Sequence, residues 1–595
     1  MSSQTVTWSG RDSDITVRAA QRAFIGGNTL SAFGVPVQTG GTFNASRRIT
    51  IDGGADASGM GVLVHAASKL LVNGTVNADG SVRAAGDIDI RGVGDVDVQG
   101  VLLAGGRLEE IRENGSVVGN TIHLNDADST ISIRADRQLK IGRDLTAGKE
   151  INLVGGTDTR VAALDANNQL IDIEQRHYGK GLVLLGSAHI TTTRDGSEIN
   201  LSAASSVNLV ASANFAAGLY ALDAQGDGSV VNITSSGASN ARIYIAGQVR
   251  AEHAIELNSG VSQSGRDIEL DITGVLETVD GSIGFNAGVN GLIAGDIFAR
   301  GDGSDVTITS GRSLTIEGRI EANDQVYLHG GDGTEIAGQD SLTLSSTAFV
   351  ATDGGAGSIT LSGTNDVIIA GAVGGVYEAG TAREILINSD LGTVLVDRTT
   401  GRVVTSGQLD ITGRDLIIDG PVTSTYVASG VAAATPEVRL TADRDMLLRG
   451  NIDVSGDLSI SAGDTVEIFD TVWDVSTLSI NAGNIVFGSP VSGAPSAQLG
   501  AVIQAGSRIE LDASNHVGVN AGVLLLTDEM ASAINIDAAT IMIAGEVHAG
   551  AQWANGSASA IADQATVSVS ASNLLQLGAK LGMPGVTRDS GGNVR

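Results

Sequence analysis

Cysteine is absent from the chain, which excludes disulfide cross-links and thiolate metal sites. Proline is scarce, with 6 in 595 residues, and aromatic residues make up 3%. Basic residues are in deficit as well. The 36 lysines and arginines face 67 acidic residues, a net charge of −31 spread along the chain. Such a surface repels phosphate backbones and argues against nucleic acid as a partner. No apolar run of about 18 residues is present to span a bilayer, so no membrane insertion is expected. The start, Met1-Ser-Ser-Gln-Thr-Val-Thr-Trp8, lacks the basic region and apolar core of a signal peptide. Together with an uncapped end at Asp589 to Arg595, this predicts an internal segment of a longer protein.

What is plentiful is glycine, at 81 residues, and hydrophobic side chains, at 42%. The glycines do not recur every third residue, which excludes collagen. The apolar residues are too frequent and too periodic for disorder. Their period is plainest between Val438 and Phe487. Val438-Arg-Leu440, Leu458-Ser-Ile460 and Leu478-Ser-Ile480 start twenty residues apart, and eight residues after each start a second apolar pair is read at Met446, Val466 and Val486. In the first unit a third pair follows at Ile452 and Val454. Each pair alternates with Arg439, Leu447 or Asp453, as in a strand with one face buried. Between the pairs lie polar, glycine-rich corners, Thr441 to Asp445 and Arg449 to Asn451.

Three short strands and three corners make one coil of a parallel β-helix, and a single coil relies on its neighbours to cover its apolar face. The expected fold is therefore all-β: one long parallel β-helix running through residues 1–595, with three strands and about twenty residues per coil. At that period the chain holds at most about thirty coils, a rod on the order of 120 to 140 Å at the usual strand spacing. Val438, Leu458 and Leu478 would stack in one core ladder, and Arg444, Asp464 and Asn484 in one corner ladder. A glycine recurs before the third strand, in Val72-Asn-Gly-Thr-Val-Asn-Ala78, Ile245-Ala-Gly-Gln-Val-Arg-Ala251, Ile316-Glu-Gly-Arg-Ile-Glu-Ala322 and Ile543-Ala-Gly-Glu-Val-His-Ala549. It serves either a positive φ or a tight turn. The register slips near 105–120, 174–198, 375–385 and 424–437, which predicts loops inserted at corners.

The corners also carry a recurring wording: Ala135-Asp-Arg-Gln-Leu139, Ser310-Gly-Arg-Ser-Leu314, Thr412-Gly-Arg-Asp-Leu416 and Ala442-Asp-Arg-Asp-Met446, each followed by Ile-x-Gly-x-Val-x-Ala or a close variant. In this style the chain resembles the repeat region of filamentous haemagglutinin-like large exoproteins, bacterial surface adhesins exported by two-partner secretion. The resemblance implies a right-handed β-helical fibre and a secreted, cell-surface location. It implies partners on a host or neighbouring cell surface, or in a matrix. The family's secretion domain carries Asn-Pro motifs, and no Asn-Pro occurs here.

Candidate sites are few. Arg300-Gly301-Asp302 is the tripeptide that integrins recognise, but Asp-Gly-Ser turns also recur at Gly226 to Ser229, Ala78 to Ser81 and Val279 to Ser282, which makes a plain corner the competing reading. Asp87 and Asp89 alternate with Ile88 and Ile90, and Asp95 and Asp97 with Val96 and Val98, so two carboxylate pairs face outward and are candidate calcium ligands. Paired strand faces without a nonapeptide calcium array are the competing reading. The histidines, His65, His123, His177, His189, His253, His329, His516 and His548, show no metal-ligand spacing, and His177 falls at a corner. Trp8, Trp473 and Trp553 lie far apart in sequence. No nucleophile elbow or phosphate loop is present, and neither an enzyme nor a cofactor is expected. The expected function is a structural and adhesive stalk that displays loops. The alternatives are a β-helical carbohydrate-active enzyme or tailspike, and a matrix or surface-layer protein that self-associates end to end or laterally.

Overall fold

The computed structural model describes residues 4–578, apart from 8–13, 31–35, 40, 46, 55–59, 73–74, 77–81, 85, 114–115, 125–127, 157–180, 211–219, 237–240, 261–267, 332–339, 353–356, 375–381, 425–435, 470–471, 489–500, 555–556 and 561–563. Among the described residues every regular element is a strand. Among these same described residues no helix is long and apolar enough to cross a membrane. The chain divides into two compact units, Met1–Gly311 and Arg312–Arg595. Each is a parallel β-helix.

In the first unit, the first strand of each coil pairs in parallel with the first strand of the next. Ile15, Ile49, Ile88, Ile131, Ile151, Ile199, Val231, Ile255, Ile283 and Val306 form one continuous inward ladder. In the second unit the equivalent ladder runs Val326, Ile359, Ile385, Leu409, Val438, Leu458, Leu478, Ile509, Ile534 and Val567. The residues two further on, such as Leu440, Ile460 and Ile480, form a second ladder beside it. All three are within 1% of full burial, and each contributes roughly 1.5–3 kcal/mol by leaving water. Alternation does the sorting. Strand Glu437–Ala442 reads half-buried, buried, exposed, buried, exposed, buried, because successive side chains point to opposite faces.

On the first-strand ladder the twenty-residue step is the shortest rather than the rule. Ile131 sits on Ile151, but Ile151 sits on Ile199. The extra residues enter at corners. Gly106–Glu113 and Ser116–Leu124 form an antiparallel hairpin between a third strand, Val101–Ala104, and the next first strand, Thr130–Ala135. Thr75–Val76 with Val82–Ala84, and Ala551–Ala554 with Ser557–Ala560, are further hairpins at that same corner. Gly27–Leu30 with Pro36–Thr39 occupies the corner between second and third strands. These three were not anticipated. Residues 375–381 and 425–435 lie outside the described residues, but their flanks, Ala372–Val373 to Glu384–Ser389 and Val422–Ser424 to Glu437–Ala442, again join a third strand to a first.

Four expectations need correction. Within 174–198, the described part is not inserted loop: Leu182–Leu184 and Ile190–Thr192 are ladder strands, stacked on Leu139 to Ile141 and Leu145 to Ala147. Val72-Asn-Gly-Thr-Val-Asn-Ala78 shares the corner wording but not the corner, because Lys69–Val72 is itself a third strand, paired with Val101–Ala104. In the third copy of the repeat, the inward partners of Val466 and Ile468 are Ile485 and Phe487, while Val486 faces out beside Glu467. That corner is one residue tighter. Asn484 accordingly pairs with Thr465 rather than Asp464, and its amide donates to the Asp464 carbonyl at 2.8 Å.

The recurrent glycine before the third strand does not adopt positive φ. It is there because stacked corners touch. In the first unit a Cβ on Gly274 would collide with the Gly247 carbonyl, and one on Gly295 with the Gly274 carbonyl. In the second unit Gly401, Gly420 and Gly450 stand in the same file. The file ends at Gly450, whose carbonyl accepts the indole N–H of fully buried Trp473 at 3.2 Å.

Candidate functional site

Three of the four described hairpins leave the coil at the corner from third to first strand, and Arg300-Gly301-Asp302 lies on that corner. Gly301 and Gly303 have φ of +94° and +76°, the left-handed region that glycine enters without strain. The Ser304 hydroxyl, 1% exposed, donates to the Gly301 carbonyl at 2.8 Å and closes the turn. The Arg300 carbonyl accepts from Gly281 N–H at 3.1 Å in the coil before. An equivalent turn at Gly226-Asp-Gly-Ser229 has positive φ at both glycines and a buried serine, and its Asp227 amide donates to the Asp195 carboxylate at 3.2 Å. Serines 129, 197, 229 and 304 are all buried at this corner. The tripeptide is thus one copy of a repeated turn. Its arginine is engaged within the chain, with Nε 2.9 Å from Glu277 and the guanidinium 4.9 Å over the Phe298 ring. Asp302 is exposed. The Ala78 to Ser81 copy, His177 and Trp8 lie outside the described residues.

The four aspartates of Asp87–Gly92 and Asp95–Val98 face outward, as alternation requires. Neighbouring coils supply a cation to each. Arg48 lies 3.0 Å from Asp87 and 3.5 Å from Asp89, Arg137 lies 3.4 Å from Asp95, and Lys140 lies 3.9 Å from Asp97. Burial pushes the Asp89 and Asp95 carboxyls above the ordinary range; Arg48 offsets part of the rise at Asp89, and the Gln138 backbone N–H and then Arg137 offset part of it at Asp95. Among the described residues no cluster of three or more histidine or acidic side chains is arranged to hold a metal ion.

Several aromatic rings on the outer faces are paired with arginine. Arg242 lies 5.7 Å over Tyr244 and Arg250 lies 5.6 Å over Tyr220 in the first unit, and Arg319 lies 5.2 Å over Phe349 in the second. One face of each ring that would stack a sugar therefore carries a guanidinium. In the second unit, Ile368, Leu395, Ile417 and Leu447 stand in register as an outward aliphatic row, each half-buried by its neighbours. Alternation alone would have placed polar residues there.

One constellation escaped sequence reasoning. His329 and Ser362 occupy the same outward position in consecutive coils of the second unit. Ser362 Oγ lies 2.7 Å from His329 Nδ1, and His329 Nε2 lies 2.6 Å from the Gly331 carbonyl. The signal was the coil register between Val326 and Ile359, which becomes visible only when strands are paired rather than when histidine spacings are inspected. No protein-family model, curated protein or solved structure matches the chain.

Proposed function

We propose that the chain is a structural and adhesive stalk of a secreted bacterial surface protein, displaying inserted segments for attachment to a host or neighbouring cell surface or to a matrix component. The observation that carries this reading is the placement of the insertions. Hairpins at 75–84, 106–124 and 551–560 all leave the coil between a third and a first strand, while the ladders beneath them continue from Ile88 to Ile131 and from Ile534 to Val567 without a break. Loops on a rigid scaffold can vary without disturbing its core, which is the arrangement binding surfaces use. The repeat-style resemblance to filamentous haemagglutinin-like exoproteins supports the same reading.

The test removes one displayed segment. Gly106 and Leu124 are paired across the hairpin, so a short Gly-Ser link can replace residues 107–123. Beads coated with the full chain should capture cultured epithelial cells or bacterial cells above an albumin control. The shortened chain should keep its β circular dichroism and lose several-fold in capture. If the full chain captures nothing above the control, or if loss of this and the other two hairpins leaves capture unchanged, display by these insertions is wrong.

A further inference from the structure

The His329 and Ser362 pair goes beyond a stalk. A carbonyl oxygen can only accept a hydrogen bond, so the Gly331 carbonyl fixes the imidazole proton on Nε2. Nδ1 is then left with its lone pair toward Ser362, whose hydroxyl donates to it at 2.7 Å. This is a hydroxyl held against a base, with the base oriented by a third group, the arrangement shared by serine nucleophiles on unrelated folds. Two further features hold the ring in place. Tyr327 stacks on it at a centroid distance of 6.3 Å and an angle of 21°. Gly331 has φ +103°, and a side chain there would meet Thr364, so the turn that brings its carbonyl to Nε2 requires glycine.

The ladder also places an amide donor. Asn388 is the register partner of Ser362 in the following coil, so His329, Ser362 and Asn388 occupy one outward position in three successive coils, about 4.8 Å apart. Asn388 Nδ2 spends one proton on Asp390 Oδ1 at 2.7 Å, and an amide nitrogen has two. The adjacent outward row, Tyr327, Thr360 and Leu386, is in register beside it and partly apolar, with Leu386 39% exposed.

We propose that this face is an esterase site for unhindered carboxylic esters, with Ser362 as nucleophile, His329 as general base and Asn388 as oxyanion donor, the acyl group lying on Tyr327 and Leu386. Ser362 Oγ bonds to the acyl carbon as its proton passes to His329 Nδ1. The carbon–alkoxy bond then breaks, and the alcohol leaves with that proton. Water attacks the acyl-serine, gives its proton to Nδ1, and releases the acid as the proton returns to Ser362. Every atom comes from ester and water, and no oxidant or metal is needed.

The probe is a fluorophosphonate, read by peptide mass spectrometry on the full chain, with p-nitrophenyl acetate turnover in parallel. Ser362 should be labelled well ahead of Ser358 on the same strand. Ser362→Ala should abolish that label and the turnover. His329→Gln should slow labelling by roughly 10²–10⁴-fold, and Asn388→Ala should slow turnover with a smaller effect on probe binding. All three side chains face outward, so each variant should retain wild-type circular dichroism. Labelling of Ser362 no faster than Ser358, or labelling unaffected by His329→Gln in a folded variant, overturns the assignment.

Discussion

Two glycines in the first unit should fail for different reasons, and the difference is measurable. Gly295 has no positive φ, but a Cβ would fall on the Gly274 carbonyl and press on Thr273. Gly303 has φ +76° and open space around the missing Cβ. At Gly295 the cost of a side chain is steric: two stacked corners must part, and forced overpacking costs about 1–3 kcal/mol. Collision with backbone, which cannot rotate away as a side chain would, places Gly295→Ala near the upper end. At Gly303 the cost is conformational, roughly 1–2 kcal/mol for alanine in the left-handed region. Asparagine visits that region far more readily than alanine, so Gly303→Asn should recover most of the loss. Gly295→Asn should be no better than Gly295→Ala. A solenoid of many coils need not unfold in one step, so the assay is local: hydrogen exchange of the amides next to each corner. The Gly295 amide bonds to the Ile272 carbonyl at 2.9 Å and the Asp296 amide to the Gly274 carbonyl at 3.1 Å. A loss near 3 kcal/mol would speed their exchange roughly a hundredfold, since about 1.4 kcal/mol is tenfold. Rescue by asparagine at Gly295, or its failure at Gly303, would refute the two assignments together.

Ile460→Asp places a carboxylate between Leu440 and Ile480. It forfeits about 1.5–3 kcal/mol of burial and adds several kcal/mol for the unpaired charge, so soluble, β-rich protein should be lost. Ser459→Asp, facing outward opposite Arg439, should shift the urea midpoint by no more than about 0.5 kcal/mol in stability. Asp474 is exposed on its strand, yet partial desolvation first, and then the Asp453 and Asp528 carboxylates, raise its carboxyl above its ordinary range. A raised native value means the folded chain holds that proton more tightly. The group's contribution is present below the unfolded value and is lost as pH rises through the native one. Because the group is exposed, water screens most of this, so Asp474→Asn should be only slightly more stable than wild type at pH 7, with the advantage gone near pH 3 in urea titrations.

The core ladders were legible because two periods coincide in the sequence: alternation within a strand, and the twenty-residue step that sets Val438, Leu458 and Leu478 in line. Where one of these weakens, reading fails in a specific way. Ile485, Val486 and Phe487 are apolar in a row, so hydropathy cannot say which two face inward, and the tighter corner at Gly483 shifts the answer by one. The glycine before the third strand was visible as wording, but only the stacked carbonyls reveal that it is a contact between coils rather than a left-handed turn. The outward row from Ile368 to Leu447 breaks the inside-apolar rule and so gives no polar marker of its face. His329 and Ser362 are far apart in sequence, and their meeting depends on the length of everything in the intervening coil. Residues inside a coil are set by local pattern, whereas residues meeting between coils are set by insertion lengths that composition does not encode.

The variable spacing of the first-strand ladder has an evolutionary consequence. Each coil offers its neighbour on one side the same pairing edge that it takes from the other, as the first strands starting at Val438, Leu458 and Leu478 do in succession. An in-frame duplication or deletion of one whole coil would leave every remaining strand with a matching partner, whereas a change of a few residues inside a strand would turn its inward side chains outward. Gene rearrangement can therefore lengthen or shorten such a chain by whole coils at little cost in stability.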